Sequence, residues 1–532
     1  MKVISGLVTF FESSLPESPE TVYFWAAVSA ACGFNSRHSD LYRRAREPNI
    51  ILGLERAATK PEKNREEYRN VKRRVFLGLT GAAAAQPGIM RPRSAQSVTG
   101  PSEEMPSPRR LAGLSLAELR QRLHDQLFQV LLPFWDKHGI DHEHGGIMCS
   151  LDYDGTLLNT NKNLWFLGRA LWIYSFLYNH FGGNPRFLEA ARKTKEFVFR
   201  FALQADGWWA EELSREGKVL RPFSGDTEGM YFIAEGLQEY AAASGDGNSR
   251  ELALALFKRL FRYFNNPDFR YRGSDFRYLW NSKVAVRPQG LWFLNLNIAT
   301  HLLERGNDPE VAAIADHAVD AILNRHYNPD IGLNTEMLYF DFTRPEEEAQ
   351  KSRFGHSIEA LWMLMDEANR RHDEALWQTC AERIRHHLDV GWDYVYGGLS
   401  QWINVDQPCY QWPAEQPPGT DLELHFTGEY EHMKSLWAQN EVLVATLYVY
   451  ERTRAEWAAR YFEMAFQIIN QKFSQKARGY PAGCILFADR RVTPQPHVGR
   501  QDNYHPIRQL ILNIMTLDRM IQHRTAEGRQ VG

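Results

Sequence analysis

The chain has 532 residues, 44% hydrophobic and 24% charged, with 62 Lys and Arg against 65 Asp and Glu. That balance excludes a disordered or membrane-embedded chain, and with no long basic run it excludes nucleic acid as the main partner, leaving a small neutral molecule. Aromatic residues make up 13%, with 15 Trp, more than a core of this size requires and suited to a cleft that stacks carbohydrate rings, although most of them read as ordinary core.

The five cysteines, Cys32, Cys149, Cys380, Cys409 and Cys484, show no metal-ligand spacing and read as free thiols. Residues 72–85, KRRVFLGLTGAAAA, place Arg73 and Arg74 before a mild apolar run that ends in an A-x-A pattern at Ala83 and Ala85. This has the form of a twin-arginine export signal, yet it lies far from Met1. Three readings stand: a start further downstream, an unusual extension over residues 1–70, or an exposed dibasic site. The first two give an exported protein, the last a cytoplasmic one. The run is shorter than the roughly 20 residues of a membrane span. Residues 86–110 are rich in Pro, Ser and Arg and read as a linker, so 1–110 is an N-terminal extension and 111–526 the main domain.

From Leu111 onward apolar residues recur at three and four, the helical period. Twelve helices are predicted, at 115–134, 162–181, 185–204, 224–244, 248–264, 288–305, 308–326, 356–370, 373–391, 431–452, 455–472 and 505–523. Connections after even-numbered helices are short and polar: GGNP at 182–185, RGND at 305–308, RRHD at 370–373. Those after odd-numbered helices are long and Gly-punctuated: HGGIMCSLDYDG at 144–155, WWAEELSREGK at 208–218, GLNTEMLYFDF at 332–342. In an array of antiparallel helix pairs, connections of one parity emerge on one face, so the long loops with their small β-hairpins share one end. Six such hairpins close into an all-α (α/α)6 barrel; the 34–47-residue periods of an open solenoid are not evident.

The even helices begin where the long loops end, and their starts concentrate charge: KNLWFLGRALW at 162, PFSGDTEGMYF at 222, PQGLWFLNLN at 288, GHSIEALW at 355, MKSLWAQNE at 433 and YHPIRQL at 504. His356 has Glu359 one turn on, and His505 has Arg508. Asp502 or Asn503 suits a cap, and Pro506 suits the first helical position, where its missing N–H has no intrahelical partner. Two imidazoles at the mouths of two inner helices make a two-base proton-transfer site, since each can take or give a proton near neutrality. Arg169, inside an apolar run, needs something negative or strongly polar to meet it and is the candidate to hold an oxyanion. Taken singly, each histidine reads as a capping or packing residue; it is the pair that suggests chemistry. The H-x-x-E at 356–359 has metal-helix spacing but no second copy, so no metal is expected. Trp165, Trp172, Trp362 and Trp437 fit core positions, and His301, His317 and His326 structural ones.

These residues resemble the N-acylglucosamine 2-epimerase family, which includes cellobiose 2-epimerases and is related to aldose–ketose isomerases acting on mannose. The likeness covers about 111–525 through HGGIMCSLDYDG, KNLWFLGRALWIYSFLY, FGHSIEALWML, KSLWAQNEVLVA and NYHPIRQ, in that order. It implies an (α/α)6 barrel and inversion at C2 of a reducing sugar through an enediolate. It also implies His356 and His505 as the acid/base pair, Arg169 near the reacting centre, and substrate-binding roles for Glu359, Trp437, Gln439 and Glu441. Arg508 is the orienting or substrate-holding neighbour of His505. Leu436 replaces the first Trp of the family's paired tryptophans. Asn295 or Asn297 stands where cellobiose epimerases carry a further histidine, which favours a monosaccharide, and Tyr480 stands where a lid tryptophan is usual. No Walker-type loop suggests a nucleotide, so no cofactor is expected; a homodimer is the expected assembly. An aldose–ketose isomerase, or a glycoside hydrolase using Glu211, Glu336 or Asp341, are the competing enzymes, and a non-catalytic sugar-binding protein is the competing class.

Overall fold

The computed structural model describes residues 110–270, 286–405 and 432–530; the export-like segment at 72–85, Cys32 and Cys409 lie outside them. Among the described residues the twelve long helices appear in the predicted order. The odd-numbered ones are α1 (Leu116–Asp125, prolonged by Gln126–Leu131 and Leu132–His138), α3 (Pro185–Phe201), α5 (Gly247–Phe264), α7 (Pro309–Asp320, prolonged by Ala321–Arg325), α9 (Glu374–Gly391) and α11 (Glu456–Ile468, prolonged by Ile469–Phe473). The even-numbered ones are α2 (Leu164–His180), α4 (Glu228–Ser244), α6 (Gln289–Glu304), α8 (Phe354–Arg371), α10 (Leu436–Thr453) and α12 (His505–Gln530).

The even helices pack in sequence on one another, and α12 returns to α2; each odd helix packs chiefly against one even helix, with α1 closing the ring on α12. That is the closed (α/α)6 barrel. The side chains explain the two rings. Helix α6 buries every residue from Leu291 to Thr300, as an interior helix must, whereas α3 buries only Ala191, Thr194, Phe197 and Val198, a stripe that faces inward. Leu167, Leu237, Leu296 and Leu361 are fully enclosed, each contributing about 1.5–3 kcal/mol relative to exposure.

The two rings also start their helices differently. Outer helices begin on a side-chain cap delivered by the short connection: Ser115 in a reciprocal capping box with Glu118, then Asn184, Asp246, Asp308 and Asp373, each accepting from first-turn N–H groups. Helix α11, after Ala455, has no such cap. Inner helices α2, α6, α8 and α10 follow two- or three-residue strands, Lys162–Asn163, Arg287–Pro288, Lys351–Arg353 and Lys434–Ser435, and of these only α2 also has a side-chain cap, from Asn163. Their first N–H donates to a carbonyl of the next long loop: Leu164 to Glu211, Gln289 to Glu336, Phe354 to Gln401 and Leu436 to Leu486, at 2.8–3.3 Å. The antiparallel pairing of these strands with the next loop is why α10 starts at Leu436 and not at the predicted 431.

Two of the strands are locked by the same device. Lys162 Nζ donates to Asp141 Oδ2 at 2.9 Å and to the carbonyls of Gly145 and Arg215, while Arg215 Nε also bonds Asp141. Lys434 Nζ donates to Asp393 Oδ2 at 2.9 Å and to the Arg490 carbonyl, and Arg490 Nε bonds Asp393. Both lysines are fully buried. The loops IDHEHGG and WDYVYGG turn on Gly146 and Gly398 at φ 82° and 91°, a left-handed conformation that favours glycine. Burial alone would raise the Asp141 and Asp393 carboxyls, but the Arg and Lys hydrogen bonds outweigh it and hold both well below the usual carboxylate range.

Candidate active site

A cavity opens at the N-terminal ends of the even helices, and His356, His505, Arg169 and Trp437 line it together with Glu359. A larger cavity of about 710 Å³ lies on the rear of α10 and α12, against α1, and its lining contains no histidine. The histidines singled out in the sequence therefore stand at the front cavity.

The imidazoles of His356 and His505 both lie against the Trp437 indole, with ring centroids 5.2 and 5.6 Å from it. Each has its Nδ1 against a carboxylate: His356 on Glu336 Oε1 at 2.8 Å, and His505 on Glu441 Oε1 at 2.9 Å. A carboxylate acceptor fixes the Nδ1–H tautomer, and no described residue hydrogen-bonds to either Nε2. Both Nε2 atoms are thereby left without a hydrogen-bond partner among the described residues, an arrangement able to take or give a proton. Arg353, the residue before α8, brings Nη1 to 3.4 Å from His356 Nδ1. Gly355 is needed for the approach of α10, because a Cβ there would come within 2.4 Å of the Trp437 ring.

The Glu336 contact explains a difference from the sequence reading. His356 does not pair with Glu359 on its own helix, because Glu359 turns to Arg508 Nη2. Arg508 also donates to Glu441 Oε1 at 2.8 Å, and Trp362 Nε1 donates to the second oxygen of Glu441 at 2.9 Å. Burial would raise the Glu441 carboxyl, but Arg508 and His505 overcome it and lower it to about 2. Ligand atoms of Glu359, Glu441 and His505 lie within 4.8 Å of one another, yet the Arg508 guanidinium already bridges the two carboxylates. The arrangement is an ion-pair clamp that orients His505.

Arg169 is only 6% exposed. Its guanidinium stacks against Trp165, Phe232 and Tyr504 at 4.3–4.6 Å, and no described residue gives it a carboxylate hydrogen bond. Burial lowers its pKa, with the Asp502 charge opposing. The cation thus has the Asp502 charge nearby but no hydrogen-bonded carboxylate, an arrangement that can stabilise an oxyanion.

The remaining expected substrate contacts stand elsewhere. Glu441 and Arg508 lie behind His505 and do not line the cavity. Gln439 is fully buried and bonds the backbone of Leu399 through both amide atoms. Asn297 donates to Glu235 at 2.9 Å beneath the floor. Tyr480 stacks on Tyr153 at 5.8 Å, outside the lining. The carboxylates of the hydrolase reading are also occupied and absent from the lining: Glu336 holds His356, Glu211 accepts from Ser224, and Asp341 is exposed and binds Thr343.

Sequence reasoning missed Glu336 as the partner of His356, and also Arg353 and Glu235, whereas it did offer Asp502 as a cap. Asp502 Oδ1 accepts from the backbone N–H of Tyr504 and His505, the one role a local motif signals, since Asp precedes a helix start. Glu336 lies 20 residues before His356, and its place follows only from strand pairing. In two of the long loops one residue ties two inner helices. Glu336 gives its carbonyl to α6 and its carboxylate to α8, and Gln401 gives its carbonyl to α8 and its side chain to Ser435 before α10.

The profile of the N-acylglucosamine 2-epimerase (GlcNAc 2-epimerase) family matches residues 145–508. N-acylglucosamine 2-epimerase of Mus musculus is 27% identical over 344 residues, covering 62% of this chain and 75% of its own. Cellobiose 2-epimerase of Ruminococcus albus is 28% identical over 377 residues, covering 66% and 91%. Among solved structures, cellobiose 2-epimerase of Spirochaeta thermophila superposes with a TM-score of 0.61 at 20% identity, covering 76% of this chain and 98% of that one. A D-mannose isomerase does so at 0.60 and 14%, covering 75% and 97%. These likenesses show the shared fold.

Proposed function

The chain belongs to the N-acylglucosamine 2-epimerase family, and from that premise we propose that it inverts C2 of a reducing monosaccharide by proton transfer between His356 and His505. The observation that carries the reading is the pair of imidazoles beside Trp437 in one cavity, each with Nδ1 committed to a carboxylate. The open-chain sugar lies with C2 between the two Nε2 atoms. One histidine removes the C2 proton, the electrons move into the C1 carbonyl to give an enolate, which is an enediolate where C2 carries a hydroxyl, and Arg169 offsets the charge on its oxygen. The other histidine delivers a proton to the opposite face of C2. The carboxylates behind the rings stabilise whichever imidazolium forms.

The wall that α6 contributes supports an N-acylated substrate, N-acylglucosamine or N-acylmannosamine. Gly290, Phe293 and Leu294 line it, with Phe293 edge-on to His356 at 5.2 Å. That wall offers no polar side chain to a hydroxyl and suits an acyl methyl on the substituent at C2.

The test is incubation with N-acetylmannosamine, mannose, glucose and cellobiose in D2O, followed by NMR at C2. Deuterium enters C2 with epimer formation in the wild type, and exchange in His356→Ala and His505→Ala drops by about 100- to 10,000-fold. Full exchange in either variant overturns the assignment. A ketose product in place of the epimer would mean that the returned proton lands on C1.

A further inference from the structure

Beneath the cavity lies a carboxylate that the proton transfer does not use. Glu235, on α4 and 3% exposed, accepts from Asn297 Nδ2 at 2.9 Å through Oε1 and from the Tyr504 hydroxyl at 3.4 Å through Oε2. Tyr504 directly precedes His505. Its ring lies against two guanidinium groups, Arg169 at 4.6 Å and Arg508 at 4.7 Å, and its hydroxyl oxygen accepts from Arg508 Nη1 at 3.3 Å. The groups facing Glu235 are therefore Arg169 from α2, the neutral Asn297 from α6, and Tyr504 with Arg508 at the start of α12. Glu359 of α8 stands on the other side of Arg508.

None of Glu235, Asn297, Tyr504 or Arg508 lines the cavity, but both ends of their network do, at Arg169 and His505. Arg508 is held by Glu359 and Glu441, while Arg169 has no such anchor. The Tyr504 ring is packed against both cations, and its hydroxyl is fixed by an acceptor on α4. Moving that hydroxyl would displace both guanidinium groups in a floor too densely packed to absorb the change.

Building on the two-histidine reading, we propose that Glu235 is a positioning residue which, by accepting the Tyr504 hydroxyl, sets Arg169 and the Arg508–His505 pair relative to C2. Its protonation state matters to that role. Burial raises the carboxyl to about 7, with Arg508 and Arg169 pulling it down. Ionised, it only accepts. Once protonated it can also donate, and the Tyr504–Arg508 geometry loosens. Its contribution to turnover is thus present above about 7 and declines as the pH falls through that value.

The test measures C2 exchange against pH in the wild type, Glu235→Gln, Tyr504→Phe and the double variant, with His505→Ala alongside. The expected result is a loss in kcat of about 10- to 100-fold in each single variant, with KM within about twofold. In Glu235→Gln the inflection near pH 7 disappears, and the double variant is no worse than the weaker single one. Glu235→Gln is isosteric, and Tyr504→Phe probes the same link if that variant fails to fold. A wild-type kcat and pH profile in Glu235→Gln, or losses that add in the double variant, overturn the proposal. Retained exchange in His505→Ala overturns the two-histidine reading itself, separately from the behaviour of Glu235.

Discussion

The outer and inner helices of this barrel solve one problem, the unsatisfied N–H groups of a helix start, in opposite ways. Outer starts at Ser115, Asn184, Asp246, Asp308 and Asp373 use their own side chain, a few residues from the groups they satisfy. Inner starts at Leu164, Gln289, Phe354 and Leu436 borrow a carbonyl from 47 or more residues away. A local cap makes a helix independent of its neighbours. A borrowed carbonyl makes each of these four inner helix starts a joint between two loops, and the joint at α8 carries His356, while α12 with His505 starts on the local Asp502 cap. Stability at the outer end is therefore modular, and geometry at the inner end is cooperative.

The largest expected effect tests the inner joints. Asp393→Ala leaves Lys434 buried without its carboxylate, and breaking such a pair costs about 3–5 kcal/mol, measured by urea unfolding. Asp141→Ala strands Lys162 in the same way. The two clamps share no residue, so the losses should add to within about 0.5 kcal/mol; strong non-additivity would mean the joints are not separate. Because the Asp393 carboxyl is depressed in the fold, its stabilisation is present above the ordinary aspartate value of about 3.9 and is lost as the pH falls through the folded-state value. The stability gap between wild type and Asp393→Asn should hold from pH 7 down to about 4 and narrow only below that.

A middle-sized effect tests whether the inner joints set geometry as well as stability. In Gly355→Ala the new Cβ meets the Trp437 ring, and such overpacking costs about 1–3 kcal/mol. Since both imidazoles lie against Trp437, the fall in kcat/KM should exceed anything the change in melting temperature predicts. Wild-type turnover with a lowered melting temperature would show that the spacing of the histidines does not depend on this contact.

What the sequence revealed divides along the same line. The helix count, their order and the face that carries the long loops were legible because an amphipathic period and an Asn or Asp before a helix are local signals. His356, His505 and Arg169 could be singled out because each sits in a short motif at a helix start. Glu336 could not be tied to His356, since its position follows from the pairing of Pro288 with Met337, a register that no local period encodes. For the same reason Glu359 looked like the partner of His356. Helical spacing places the two on one face, but the distant Arg508 captures the carboxylate. Glu235 and Asn297 meet across 62 residues, and within an all-round buried helix nothing marks which polar residue points to which neighbour.

The smallest expected effect returns to an outer start. Asp373 Oδ1 accepts from Leu376 N at 2.9 Å at the head of α9, far in role from any histidine. Asp373→Ala should lower stability by about 1 kcal/mol and leave kcat and KM unchanged, because a local cap passes no strain to the loops at the opposite end. Asp373→Asn keeps the acceptor and removes the charge. If the cap works by satisfying an N–H, the asparagine variant should unfold within a few tenths of a kcal/mol of wild type. If the charge acting on the helix dipole carries the effect, it should lose stability as the alanine does, and the difference should shrink in high salt. A change in kcat in either variant would show that outer starts are coupled to the site after all, and the division between modular and cooperative ends would fail.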